Sequence, residues 1–220
     1  MRLRAVDLDM DGVLVDSDTI SEENVRFICQ RHELMVPGEV FASFRGMRYG
    51  QFFQTIVSQY GRGHLNPDDL AQEAKRRYRD AIRDGTMKLV PGARAFLIEL
   101  VKRFPSLKIA LTTSSSEDVV DMLFEKFDLR QFFDVVVVGG DVKRSKPAPD
   151  QYVLTFQSLE CKPRECLVLE DSPNGVMAAC RAGCEKVVGI TTTTSQVELL
   201  NAGAHVIVDR HAEVLGLLRS

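Results

Sequence analysis

A short apolar run, Leu3 to Leu8, ends abruptly in Asp9-Met10-Asp11-Gly12-Val13-Leu14-Val15-Asp16-Ser17. The run has the length of one buried strand, and Gly12 frees the backbone to turn away at its end. Two Asp residues at i and i+2 point to the same side of an extended chain. Like charges packed together are costly unless a cation or a shared proton relieves them. A hard, oxygen-seeking ion such as Mg²⁺ answers that need. Taken alone, the same residues also describe an acidic strand-to-loop turn. The rest of the chain has to decide.

Downstream, residues 18 to 85 carry helical patterning and no strand signal. Phe52, Phe53, Ile56, Val57 and Tyr60 form one apolar stripe, and Leu70, Ala71, Ala74, Tyr78, Ala81 and Ile82 form another. Asn66-Pro67-Asp68-Asp69 opens the second with a cap residue, a proline and acids at the positive helix end. The Lys75 to Arg79 run reads as the solvated side of that helix. From about Met87 the pattern changes to alternating helix and strand. Strands are expected at 108–111, 135–138, 166–169, 187–190 and 206–208, and the valine run at 135–138 reads as buried on both faces. Helices are expected from Pro91-Gly92, Glu117, Pro149 and Pro173, the last closed by Gly183. Thr191 to Thr194 reads only as a short polar loop. Repeated βα units imply an α/β fold, a Rossmann-like, doubly wound parallel sheet with right-handed crossovers. The expected division is a core of residues 1–16 and 87–220, with a helical insert of 17–86 after the first strand.

Three further strand ends carry residues suited to phosphate chemistry. Thr113, followed by Ser114, is expected at a helix amino terminus, a ready anion site. Lys146 lies in Ser145-Lys146-Pro147-Ala148-Pro149-Asp150, where two prolines stiffen the loop around one cation. Glu170-Asp171 closes Leu167-Val168-Leu169. Each has an ordinary reading: a helix cap, a solvated lysine, surface acids. Occurring in order, each at its own strand end, they converge on one crevice of an open α/β sheet.

With those residues in view, the chain resembles the haloacid dehalogenase-like superfamily of phosphohydrolases, specifically members such as phosphoglycolate phosphatases and β-phosphoglucomutase-like enzymes with a small α-helical cap. Asp9 to Ser17 looks like the first motif of that family, Thr113 the second, Lys146 the third, and Glu170-Asp171-Ser172-Pro173-Asn174-Gly175 the fourth. The resemblance implies Asp9 as nucleophile, forming an aspartyl-phosphate, and Asp11 as general acid and base. It implies Mg²⁺ on the Asp9 carboxylate, the Asp11 carbonyl and Asp171, with Glu170 as an outer or additional ligand. Thr113, Ser114 and Lys146 would hold the phosphoryl oxygens. Family members that cleave carbon–halogen bonds lack the second Asp, so Asp11 argues for phosphoryl transfer. Two positions depart from the pattern. Asp7 stands where the family usually has an apolar residue, and is a rival nucleophile that the Gly12 register disfavours. Ser21 stands where the related sugar-phosphate mutases carry a cap histidine, which argues against a mutase.

The expected activity is Mg²⁺-dependent hydrolysis of small phosphomonoesters such as sugar phosphates or phosphoglycolate-like compounds. The alternatives are a phosphomutase and, from a different class, a receiver-like phosphorylated switch. Arg45 or Arg48, in a Gly-containing break between cap helices, either contacts an anionic or hydroxylated leaving group or is a solvated surface arginine. A net charge of −3 gives no reason to expect nucleic acid as a partner. No apolar run approaches the roughly 18–20 residues of a membrane span. Five cysteines, at 29, 161, 166, 180 and 184, read as reduced thiols. With an amino terminus that runs straight into a strand, they suggest a cytoplasmic protein, monomeric or dimeric. Gly139-Gly140-Asp141 follows a strand but offers no G-x-G-x-x-G, which excludes a dinucleotide fold.

Overall fold

The structure, a computed structural model, describes residues 3–42, 49–61 and 65–218. Arg45 and Arg48 lie outside the described residues. The chain divides into two compact units, Met1–Asp16 with Leu89–Ser220, and Ser17–Lys88.

The first unit is built on six parallel strands: β1 Ala5–Leu8, β2 Lys108–Thr112, β3 Val135–Val137, β4 Cys166–Glu170, β5 Val187–Ile190 and β6 Val206–Val208. Their order is β3-β2-β1-β4-β5-β6. Asp7 pairs in register with Ala110 on one side and Val168 on the other, so β1 is central. The chain winds from β1 to β3 toward one edge and then from β4 to β6 toward the other. Right-handed crossovers put the helices of the two runs on opposite faces. This is the doubly wound sheet expected from the alternating pattern. Its order reverses between β1 and β4, where such sheets open a crevice at the carboxyl ends.

The inserted unit carries helices α1 Asp18–Arg31, α2 Gly38–Ala42, α3 Tyr49–Tyr60 and α4 Pro67–Asp84. The core unit carries α5 Ala93–Arg103, α6 Glu117–Phe127, α7 Asp150–Ser158, α8 Pro173–Arg181, α9 Gln196–Ala202 and α10 His211–Leu217. In the inserted unit α4 packs on α1 and α3, and Val25, Ile28, Phe52, Phe53, Ile56, Leu70 and Ala74 share one apolar core. The start of α4 is set as its sequence implies: the Asn66 side chain accepts the Asp68 amide at 2.9 Å. Arg77 is not simply solvated. Its guanidinium lies 3.8 Å over the Phe27 ring and donates to Asn24 at 3.1 Å.

In the core unit, Ala5 of β1, Cys166 and Val168 of β4 and Val187 of β5 pack with Tyr152 and Phe156 of α7 and Val176 and Ala179 of α8. Two expectations change. The valines of β3 form an edge strand, and Val135 and Val136 are only half-buried. An unbroken apolar run reports apolar neighbours above and below a strand, not whether both its edges are paired. Secondly, Ala182 caps α8, and Gly183 follows it with φ +86°.

Candidate active site

The turn after β1 is closed by three short backbone bonds, Gly12 amide to Val15 carbonyl at 2.8 Å and the Leu14 and Val15 amides to Met10 carbonyl at 2.8 and 2.9 Å. Gly12 adopts φ +76°, which an L side chain rarely takes. His211 reaches the same turn, its Nε2 2.7 Å from the Val13 carbonyl. Asp9 is tied to β4 by its amide, which donates to Leu169 at 3.1 Å. The carboxyl ends of the two switch-point strands are thereby brought together, and their acids with them.

Lys146 sits between those acids. Its ammonium donates to Asp9 Oδ1 at 2.6 Å, Glu170 Oε1 at 2.7 Å and the Thr112 carbonyl at 2.9 Å. An ammonium has three donors, and all three are placed. Burial works to lower the Lys146 pKa, but Asp9 and Glu170 outweigh it and hold it above its ordinary value. The Asp9 carboxyl is pushed well up by burial, against the pull of Lys146. Glu170 is fully enclosed, held also by the Tyr152 hydroxyl at 2.5 Å and by Ser172 at 3.2 Å. Asp171 accepts a short hydrogen bond from the Thr193 hydroxyl.

Asp9, Glu170 and Asp171 each offer a carboxylate oxygen within 4.8 Å of the others. Two of these three buried carboxylates, Asp9 and Glu170, also meet the Lys146 ammonium, and every atom that the cluster offers a cation is an oxygen. That set fits a hard divalent cation. Asp11 stands beside this group and accepts from the Ser115 hydroxyl at 2.8 Å. Thr113 is fully buried and lies before α6, whose cap residue is Ser116, so it is not at a helix terminus. It is placed by its own backbone: its amide donates to Val137 at 3.0 Å and its carbonyl accepts from Gln151 at 2.6 Å. Its Oγ1 accepts the Ser115 amide at 3.0 Å, which leaves the hydroxyl proton to donate. The Ser114 hydroxyl turns instead toward Gln151, at 3.4 Å.

The Thr191–Thr194 loop does more than its polar sequence suggests. Thr192 donates to the Gly12 carbonyl at 2.6 Å, and Thr193 reaches Asp171, so the loop after β5 clamps both the first turn and the fourth strand end. Nothing local in a four-threonine run announces those contacts. They exist because β5 lies next to β4. Gly12 is pressed into the same place: a Cβ built on it would stand 1.9 Å from Asp171 Oδ2 and 2.9 Å from Thr193 Cγ2. If this acidic cluster holds a divalent cation, a Gly12→Ala variant is expected to displace Asp171 and weaken that binding at least tenfold, read by calorimetric titration. Unchanged metal affinity would mean that Asp171 is not a ligand.

Asp7 is a different kind of acid. It is fully enclosed in the middle of β1, with Oδ2 accepting from Thr112 at 2.9 Å and Oδ1 left without a partner. Burial pushes its pKa up to about 7. A carboxyl raised in the fold contributes most below its unfolded pKa, and that contribution is lost as pH rises through the folded value. Asp7→Asn, neutral at every pH, should match wild type below about pH 4 and surpass it progressively up to pH 7. The gain, on the order of 4 kcal/mol at full ionisation, is read from denaturant melts at pH 4, 6 and 8. A variant-minus-wild-type difference that does not move with pH would show that Asp7 does not titrate there.

The sequence model of the family described as "Haloacid dehalogenase-like hydrolase" matches residues 8–190. The chain belongs to that family. It is 30% identical over 99% of both chains to the phosphorylated carbohydrates phosphatase of Thermotoga maritima. It is also 33% identical to hexitol phosphatase A of Escherichia coli, over 85% of this chain and 83% of that one. Among solved structures, CbbY of Rhodobacter sphaeroides in complex with phosphate superposes with a TM-score of 0.82 at 25% identity, covering 99% of this chain and 100% of that one. The family and its phosphatase relatives make this haloacid dehalogenase-like chain an enzyme of the phosphoric monoester hydrolase class.

Proposed function

We propose that this hydrolase is a Mg²⁺-dependent phosphatase of small phosphorylated sugars or polyols, working through an aspartyl-phosphate on Asp9. The observation that carries the reading is the single ammonium of Lys146 joining Asp9 to Glu170, with Asp171 completing a carboxylate triad at the β1/β4 switch point. Its relatives in sugar and hexitol phosphate chemistry support the substrate class.

Asp9, Asp171 and the Asp11 carbonyl, with Glu170 as an outer or additional ligand, would hold the Mg²⁺, which offsets phosphoryl charge when bound. The Asp9 carboxylate attacks phosphorus as the ester P–O bond breaks, and Asp11 gives its proton to the leaving oxygen. Ser115 holds the Asp11 carboxyl for that transfer. Water then attacks the phosphoryl group, Asp11 takes back a proton, and the Asp9 carboxylate leaves, restoring the starting enzyme. Thr113 and Lys146 hold the phosphoryl oxygens throughout. The helical unit Ser17–Lys88 serves as the specificity cap, with leaving-group recognition by Arg45 or Arg48 part of the same proposal.

The test is phosphate release from a panel of sugar, polyol and glycolate phosphates, with Mg²⁺ or with EDTA. Release from a subset, abolished by EDTA, is expected. An isomerised product with no free phosphate would replace the reading with a mutase, and a stable phosphoprotein without turnover would replace it with a switch.

A further inference from the structure

Tyr152 belongs to none of the sequence patterns that point to the site, yet it lies directly beneath it. It is the second residue beyond the start of α7 and has no exposed surface. Its hydroxyl donates to Glu170 Oε1 at 2.5 Å, the same oxygen that Lys146 holds at 2.7 Å. Its ring centroid lies 5.0 Å from the Lys146 ammonium. The carboxylate cannot move away from this pair on its other side. A Cβ on Gly175 would stand 2.0 Å from it, so the backbone of α8 is pressed against Glu170, and Ser172 occupies Oε2.

The consequence concerns how Lys146 is shared. With all three donors placed, Lys146 serves an incoming phosphoryl oxygen only by releasing or sharing a present partner. How firmly Glu170 holds it therefore matters. A buried carboxylate oxygen with two donors grips each less than one with a single donor, because the second donor satisfies part of its charge. We infer that Tyr152 is a positioning residue for phosphoryl binding: its hydroxyl shares Glu170 Oε1 with Lys146 and so keeps the ammonium available to the substrate's phosphoryl group. This rests on the proposed role of Lys146.

Tyr152→Phe keeps the ring and its packing and removes only the hydroxyl. Glu170 Oε1 is then left to Lys146 alone. The affinity for inorganic phosphate, titrated calorimetrically at fixed Mg²⁺, is expected to fall about tenfold, as losing a hydrogen bond to a charged group would give. The affinity for Mg²⁺ alone should stay within about twofold, and the melting transition should remain cooperative. In a Glu170→Gln background the Tyr152→Phe change should have no further effect on phosphate, because the two residues act in series. Unchanged phosphate affinity in a folded Tyr152→Phe protein would overturn the inference. So would an equal effect in both backgrounds, which would mark a packing role, or a parallel loss of Mg²⁺ affinity, which would assign Tyr152 to the metal ligands. Lys146→Ala tests the underlying reading separately: if phosphate binds it as well as wild type, Lys146 is not a phosphoryl ligand and both readings fall.

Discussion

Asp9→Asn is expected to lower phosphate release by about 10⁴-fold or more, the scale seen when a nucleophile is deleted from a site whose residues act as a unit. The carboxamide has the same shape, and its oxygen still accepts from Lys146, so the loss should come from the chemistry and not from the fold. Stability provides the control. Burial raises the Asp9 pKa, so its ionised form is disfavoured in the folded protein without metal. Stability tied to such a group is present at low pH and lost as pH rises through the raised value. Asn avoids that loss. Metal-free Asp9→Asn, in which Lys146 keeps Glu170 as its counter-charge, should therefore gain on wild type as pH rises from 5 to 8 while being catalytically silent. Release within tenfold of wild type would mean that another residue is the nucleophile. Asp7 is a poor substitute, because it has no exposed surface from which to reach a substrate.

Lys146→Met should have the largest effect on stability. It leaves Asp9 and Glu170, both enclosed, without the cation that bridges them. Removing one partner of a buried ion pair costs about 3–5 kcal/mol, because the remaining charge has lost both water and its counter-charge. For a chain of this size that corresponds to a fall of roughly 6–20 °C in melting temperature. The sign of the pH dependence follows from the raised Lys146 pKa. Its contribution is fully present at neutral pH and would be lost only as pH rose through that high value. In the variant, the Asp9 carboxyl, already held above its ordinary pKa by burial, can be relieved by protonation, so the deficit should shrink between pH 8 and pH 5. Melting curves across that range decide the matter. A Lys146→Met protein as stable as wild type at pH 8 would mean that the Lys146 bridge is not an ionic contribution to the fold.

Local patterns carried much of this protein. The alternation of apolar runs and helical stripes specified a parallel α/β sheet, because strand and helix periods are written residue by residue. Asn66 capping α4 and Gly12 turning the chain after β1 are likewise local matters. So is the presence of Asp9 after β1, Lys146 in the loop between β3 and α7, and Glu170-Asp171 at the end of β4, which the structure brings into one cluster.

What only the tertiary structure decided lies between elements. The pairing of β4 with β1 put Glu170 and Asp171 beside Asp9. The pairing of β5 with β4 brought Thr192 and Thr193 onto Gly12 and Asp171. Packing of α7 under the sheet slid the Tyr152 hydroxyl to Glu170, and left Asp7 sealed with one oxygen unpartnered. These contacts join residues 18 to 180 positions apart. A residue's sequence neighbours determine the element it enters, but which distant side chain it meets depends on strand order and on which face each crossover covers. Those are properties of the closed sheet as a whole, and no window of the chain contains them.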